Sequence, residues 1–131
     1  MPSKLFLRTL LFIVLFPLQA CSDETQSNAS QHIDQSKIDK VMKIIKMESK
    51  VKDLLFEPNA AVQWSVGVIS DGTKQHGYGS YICDVLKENG VVNNRTVVRI
   101  ADIQKIVKQK KTTRQASLGS VNCNTYEFMN Q

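Results

Sequence analysis

Three side chains near the middle of this 131-residue chain, Asp71, His76 and Ser80, are of the types that build a hydrolase triad: an acid to orient an imidazole, the imidazole to take a proton, and a hydroxyl to attack. Their surroundings favour a plainer use. Asp71 stands before Gly72 in a pair that turns a chain, Ser80 suits a helix start, and nothing in the spacing supplies an oxyanion hole. Gly77-Tyr78-Gly79 carries the opening of a dinucleotide-binding fingerprint, but no glycine follows three residues later and no Gly-Lys-Ser/Thr occurs, so neither phosphate-cradling motif is met. Cys83 lies close to His76, the arrangement a nucleophilic thiol would need. His32 sits alone in a polar stretch and reads as solvated, and no CxxC spacing is present for zinc or redox work. Lys105, Lys108, Lys110, Lys111 and Arg114 form the densest basic cluster, yet no aromatic residues interleave with them for base stacking, so they read as a mobile basic loop or a surface for an acidic partner. No catalytic residue, cofactor or metal site is expected.

The first twenty residues carry a different kind of chemistry. Lys4 and Arg8 precede the apolar run Leu10 to Phe16, which Pro17 closes, the order of a secretory signal peptide. The run is too short for the roughly 20 residues of a membrane-spanning helix. It ends in Leu18-Gln19-Ala20-Cys21, which resembles the lipobox of bacterial lipoproteins: an aliphatic residue, a small residue directly before the cut, then cysteine, with Gln19 in a slot that usually holds a small residue or a hydroxyl. The resemblance implies that Cys21 becomes the first residue of the mature protein, carrying diacylglycerol on sulfur and a further acyl chain, such as palmitate, on its amine. Several chains at roughly 0.8 kcal/mol per methylene make such an anchor durable. Ser22 in place of an aspartate implies sorting to the outer membrane, periplasmic face, rather than retention in the inner membrane. With Cys21 given to lipid, the resemblance leaves Cys83 and Cys123 in an oxidising compartment, where they are expected to form a disulfide rather than a catalytic thiol. An exported domain also has little occasion to meet nucleic acid.

These features need elements to position them. From Ser22 to Gln35 the only sizeable aliphatic residue is Ile33, so residues 21 to 35 are expected to be a flexible polar tether. Residues 36 to 131 suit one small domain, for which a covalent staple would be a material gain. Residues 1 to 20 hold two basic groups and no acid, so the net charge of +5 falls by two once they are removed and the basic excess is mild. Ser36 with Asp39 reads as a capping box ahead of Ile38, Val41, Met42, Ile44, Ile45, Val51, Leu54 and Leu55 at helical spacing, ending at Glu57-Pro58. Lys37, Lys40, Lys43, Lys46, Lys50 and Lys52 decorate that helix. They read as a solvated face over a core-packed stripe, although a basic amphipathic helix can also lie on anionic headgroups. In Ala61 to Ile69, Val62, Trp64, Val66 and Val68 alternate with small or polar residues, predicting a strand with a buried face and a face left for solvent or a partner. A helix over His76 to Gly90 with Tyr78, Tyr81, Ile82, Val85 and Leu86 inward, a strand over Arg95 to Ala101, a short helix holding Ile103, Ile106 and Val107, and a strand over Ala116 to Cys123 complete the pattern.

The expected fold is α+β: an N-terminal amphipathic helix, then a small three-stranded sheet, antiparallel or mixed, with helices packed on one face. The expected function is that of a membrane-anchored periplasmic lipoprotein acting as a non-catalytic interaction module, an envelope-assembly accessory or an exclusion or inhibitor factor with a protein partner. The alternatives are a binder of a small molecule or envelope polymer in a concave apolar cavity, and a hydrolase built on Asp71, His76 and Ser80.

Overall fold

The structure is a computed structural model and describes residues 33–58 and 62–129. The expected signal peptide, Cys21 and nearly all of the expected tether lie outside the described residues. The elements run α1 (Gln35–Lys46), β1 (Val51–Glu57), β2 (Gln63–Val68), α2 (His76–Glu88), β3 (Val97–Asp102), α3 (Ile103–Gln109), β4 (Ser117–Asn122) and β5 (Phe128–Met129). The class is α+β, but the sheet has five strands rather than three, in the order β1-β2-β3-β4-β5. It is mixed: β2 and β3 run parallel, joined through α2, and every other neighbouring pair is antiparallel.

The first helix is shorter than its hydrophobic spacing suggested. Asp34, not Ser36, caps it, its side chain accepting the Ser36 backbone N–H at 2.8 Å. The helix ends at Lys46, and Val51 to Glu57, expected as its second half, form the edge strand β1. Val51 donates its N–H to the Glu48 carbonyl at 3.0 Å, closing the turn that redirects the chain. Of the old helical stripe, Ile38, Val41 and Ile45 remain on α1, while Leu54 points the same way from a strand.

The core lies between the sheet and the α1–α2 layer. Strand pairing sets Leu54, Val66 and Ile100 in one row across the sheet and Phe56, Trp64, Val98, Val121 and Phe128 in the next. Trp64, Val66, Val68, Val98, Ile82 and Leu86 are fully buried, so Trp64 is a core residue, with the Phe56 ring 4.4 Å away between centroids. The inward face of α2 is set by Gly79, Ile82, Cys83 and Leu86; Tyr81, expected inward, is 43% exposed. Gly79 lets the helix come close to the sheet, since a Cβ there would stand 2.7 Å from Val121 Cγ2.

Cys83 on α2 and Cys123 just past β4 form a disulfide across a sequence separation of 40. Both sulfurs are buried, and the bond fastens the helix to the end of the fourth strand. Among the described residues, no helix is long and apolar enough to cross a membrane.

Candidate functional site

The sheet face turned away from α1 and α2 is built from three cross-strand rows, small or polar along β2 and with apolar residues on the flanking strands. Asp53, Gly67, Ala101 and Ser117 form one; Leu55, Ser65, Arg99, Ser120 and Met129 form the next; Glu57, Gln63, Val97 and Asn122 form the third. This is the small-or-polar side of the alternation in β2, to which register adds Leu55, Val97 and Met129 from the neighbouring strands. Helices packed on one face only were expected; instead α3 follows β3 without a loop and turns Ile103 and Ile106 back over this second face. Asp102 caps that helix by accepting the Gln104 N–H at 3.0 Å, and Lys110 ends it in the left-handed conformation with φ 55°.

The result is a groove of about 240 Å³. Ser65, Gly67 and Ala101 form its floor, Asp53 and Leu55 on the edge strand one side, and Ile103, Ile106 and Thr113 the other. Its depth comes from the small floor. At Gly67 a Cβ would lie 3.2 Å from Asp53 Cβ, so a larger residue there would fill the groove or displace its acidic wall. Leu55 is 47% exposed, an apolar side chain held at the rim.

Polar groups converge beside this apolar slot. Gln63 donates from Nε2 to Glu57 Oε2 at 2.8 Å and to Ser65 Oγ at 3.1 Å, tying the third row to the floor. Arg99 is buried, with Nε 3.4 Å from Ser120 Oγ. Burial and the nearby Arg114 charge push its guanidinium pKa below the ordinary value, and Glu57 opposes them. An arginine remains charged at any pH the fold would meet, so the face carries a buried cation next to an apolar slot.

Asp71 is not paired with His76, and Ser80 lies within α2 four residues after His76. Asp71 Oδ1 accepts from Thr73 N at 2.9 Å, Thr73 Oγ1 at 2.6 Å and Gln75 Nε2 at 3.2 Å, an Asx-type turn that holds its carboxyl below the usual range. His76 instead lays its ring against Phe128, and its Nε2 is buried with no hydrogen-bond partner. Asp71 therefore serves the turn before α2, not an imidazole. No group of three or more His, Cys, Asp or Glu side chains among the described residues could hold a metal ion. Of the basic segment, Thr113 reaches the groove wall and Arg114 acts on Arg99, so part of this segment borders the site.

The β2 alternation predicts one buried side and one side facing solvent or a partner, but Ser65 and Gly67 on the second side are buried too, and the walls of the groove leave no signal in the sequence. The helical spacing places Asp53 and Leu55 on a helix, and the return of α3 over the sheet leaves no mark in its apolar spacing. No protein-family model, curated protein or solved structure matches the chain.

Proposed function

We propose that this protein is a lipid-anchored periplasmic interaction module, tethered through Cys21 to the outer membrane, which presents the groove on the sheet face opposite α1 and α2 to a partner and performs no chemistry on it. The observation that carries the reading is the groove itself: a floor of Ser65, Gly67 and Ala101 under an apolar rim of Leu55, Ile103 and Ile106, with polar groups beside it. Small floor residues leave room for an inserted side chain or hydrocarbon. The Cys83–Cys123 disulfide supports an oxidising compartment, and with it the lipobox reading of residues 18 to 21.

The edge position of β1 favours a protein partner. Among the described residues no strand lies beyond β1, so its outward backbone groups can accept an added strand while Leu55 and the groove take alternate side chains. The test is a photocrosslinking residue placed at Leu55 in cells, compared with the same residue at Lys87 on the helical face. A discrete protein adduct from position 55 alone is the expected result; equal adducts from both positions, or none from position 55, would reject the assignment.

A second reading draws on the same groove. Its apolar lining and its volume of about 240 Å³ suit a hydrocarbon chain or a small envelope component. Mass spectrometry of protein extracted under native conditions distinguishes the two: a retained small molecule, lost on introducing Gly67→Leu, favours this second reading.

A further inference from the structure

We infer that the exposed side of α1 is a membrane-contact surface for anionic lipid headgroups, which sets the domain helix side down on the bilayer with the groove facing away from it. The orientation rests on the anchor reading of Cys21; the affinity of α1 for the surface does not.

The structure adds to the lysine row two facts absent from its periodicity. First, α1 stops at Lys46, and Met47, still helical in backbone conformation, caps it with 85% of its surface exposed. Lys40, Lys43 and Met47 fall at i, i+3 and i+7, hence on one face, opposite the buried Ile38, Val41 and Ile45. A large unbranched apolar side chain set among exposed lysines is the pattern of an interfacial helix, in which ammonium groups meet phosphates and the apolar chain enters the acyl boundary. Second, basic groups outnumber acids within the helix as it is bounded: Lys37, Lys40, Lys43 and Lys46 stand against Asp39 alone. Asp39 accepts a hydrogen bond from Gln35 at 2.8 Å, Asp34 caps the helix, and Glu48 accepts the Tyr81 hydroxyl at 2.7 Å. Lys37, Lys40, Lys43 and Lys46 all point to solvent.

Position supports the same occupant. The helix begins at Gln35, fourteen residues after Cys21, so a lipid on that cysteine would hold this face, before any other element, within a short chain length of the bilayer. Since α1 packs on the sheet face opposite Ser65, Gly67 and Ala101, contact through Lys40 and Lys43 leaves the groove open to the periplasm.

The test uses the chain from residue 21 with Cys21→Ser, which retains every described element and carries no acyl group. Its co-sedimentation is measured with vesicles of phosphatidylcholine containing one third phosphatidylglycerol, and with phosphatidylcholine alone. Binding is expected only to the anionic vesicles and should disappear in high salt. Each lysine near such a surface is worth about fivefold in partition coefficient, so Lys40→Gln with Lys43→Gln should cost about 25-fold, and Met47→Ser a smaller factor. Lys108→Gln with Lys111→Gln should change nothing. Equal binding to both vesicle types, a loss following the α3 lysines instead, or equal affinity for soluble polyglutamate would each overturn the inference. A failure here leaves the anchor untouched, because acylation at Cys21 is read separately by mass.

Discussion

Replacing both Cys83 and Cys123 by alanine is the perturbation whose size the structure fixes best. The bond closes a loop of 40 residues, and removing that constraint restores to the unfolded chain an entropy worth about 4 kcal/mol at room temperature. Both side chains are fully buried, so lost sulfur packing adds to the cost rather than offsetting it. A domain of this length has a total stability of about 5 to 15 kcal/mol, which makes the bond a large share of the whole. Urea unfolding followed by Trp64 fluorescence is the assay, because that ring is fully buried in the core. With a slope of roughly 1 to 2 kcal/mol per molar, the midpoint should fall by roughly 2 to 4 M, and reduction of the parent protein should reproduce most of the fall. A loss below about 1 kcal/mol in the variant, or an unchanged midpoint on reduction, would refute the claim that the bond constrains the unfolded ensemble.

Other substitutions probe the packing and the site. Gly119 has φ 139° and a Cβ there would run into the Phe128 ring, so Gly119→Ala should cost more than about 2 kcal/mol in the same unfolding assay. The Tyr78 hydroxyl is buried without a partner, and burial, Glu48 and Tyr81 push its pKa up to about 12. Tyr78→Phe should therefore leave stability unchanged or raise it by up to about 1 kcal/mol. Because the folded-state value lies above the ordinary one of 10.0, the stability tied to the neutral phenol is present below pH 10.0 and is lost as pH rises toward about 12; absorbance titration of parent and variant should show the missing high-pH phenol. Asp71 shifts the other way, below 3.8, so its contribution is present above that pH and lost as pH falls through the folded value; Asp71→Asn should destabilise at neutral pH and make little difference in strong acid. Leu55→Glu at the rim should change stability by no more than about 0.5 kcal/mol yet abolish partner capture.

Several parts of this fold can be read from the chain, and the reasons differ by element. Alternation of Val62, Trp64, Val66 and Val68 with small residues identifies β2 because its bulky side packs under the helices while its small side lies at the floor of the groove. Ile82 and Leu86 mark α2, and Asn89-Gly90 marks its end, Gly90 adopting φ 67°. Strand β1 escapes because Val51, Leu54 and Leu55 continue the helical spacing of Ile44 and Ile45, and Met47 to Lys50 contain no glycine or proline to announce the turn. Only pairing with β2, a tertiary contact, decides that segment. The groove is half legible for the same reason: Ser65 and Gly67 stand out as small, but their neighbours Asp53 and Ala101 come from register. Asp71 and His76 looked like chemistry because sequence proximity cannot show that one closes a turn while the other packs on Phe128.

The lipid anchor is tested most directly by the intact mass of the protein extracted from membranes with detergent. The expected mass lacks residues 1 to 20, carries diacylglycerol and an amide-linked acyl chain on Cys21, and is lighter by the two hydrogens of the Cys83–Cys123 bond. A free thiol at position 21, in protein released without detergent, would contradict it.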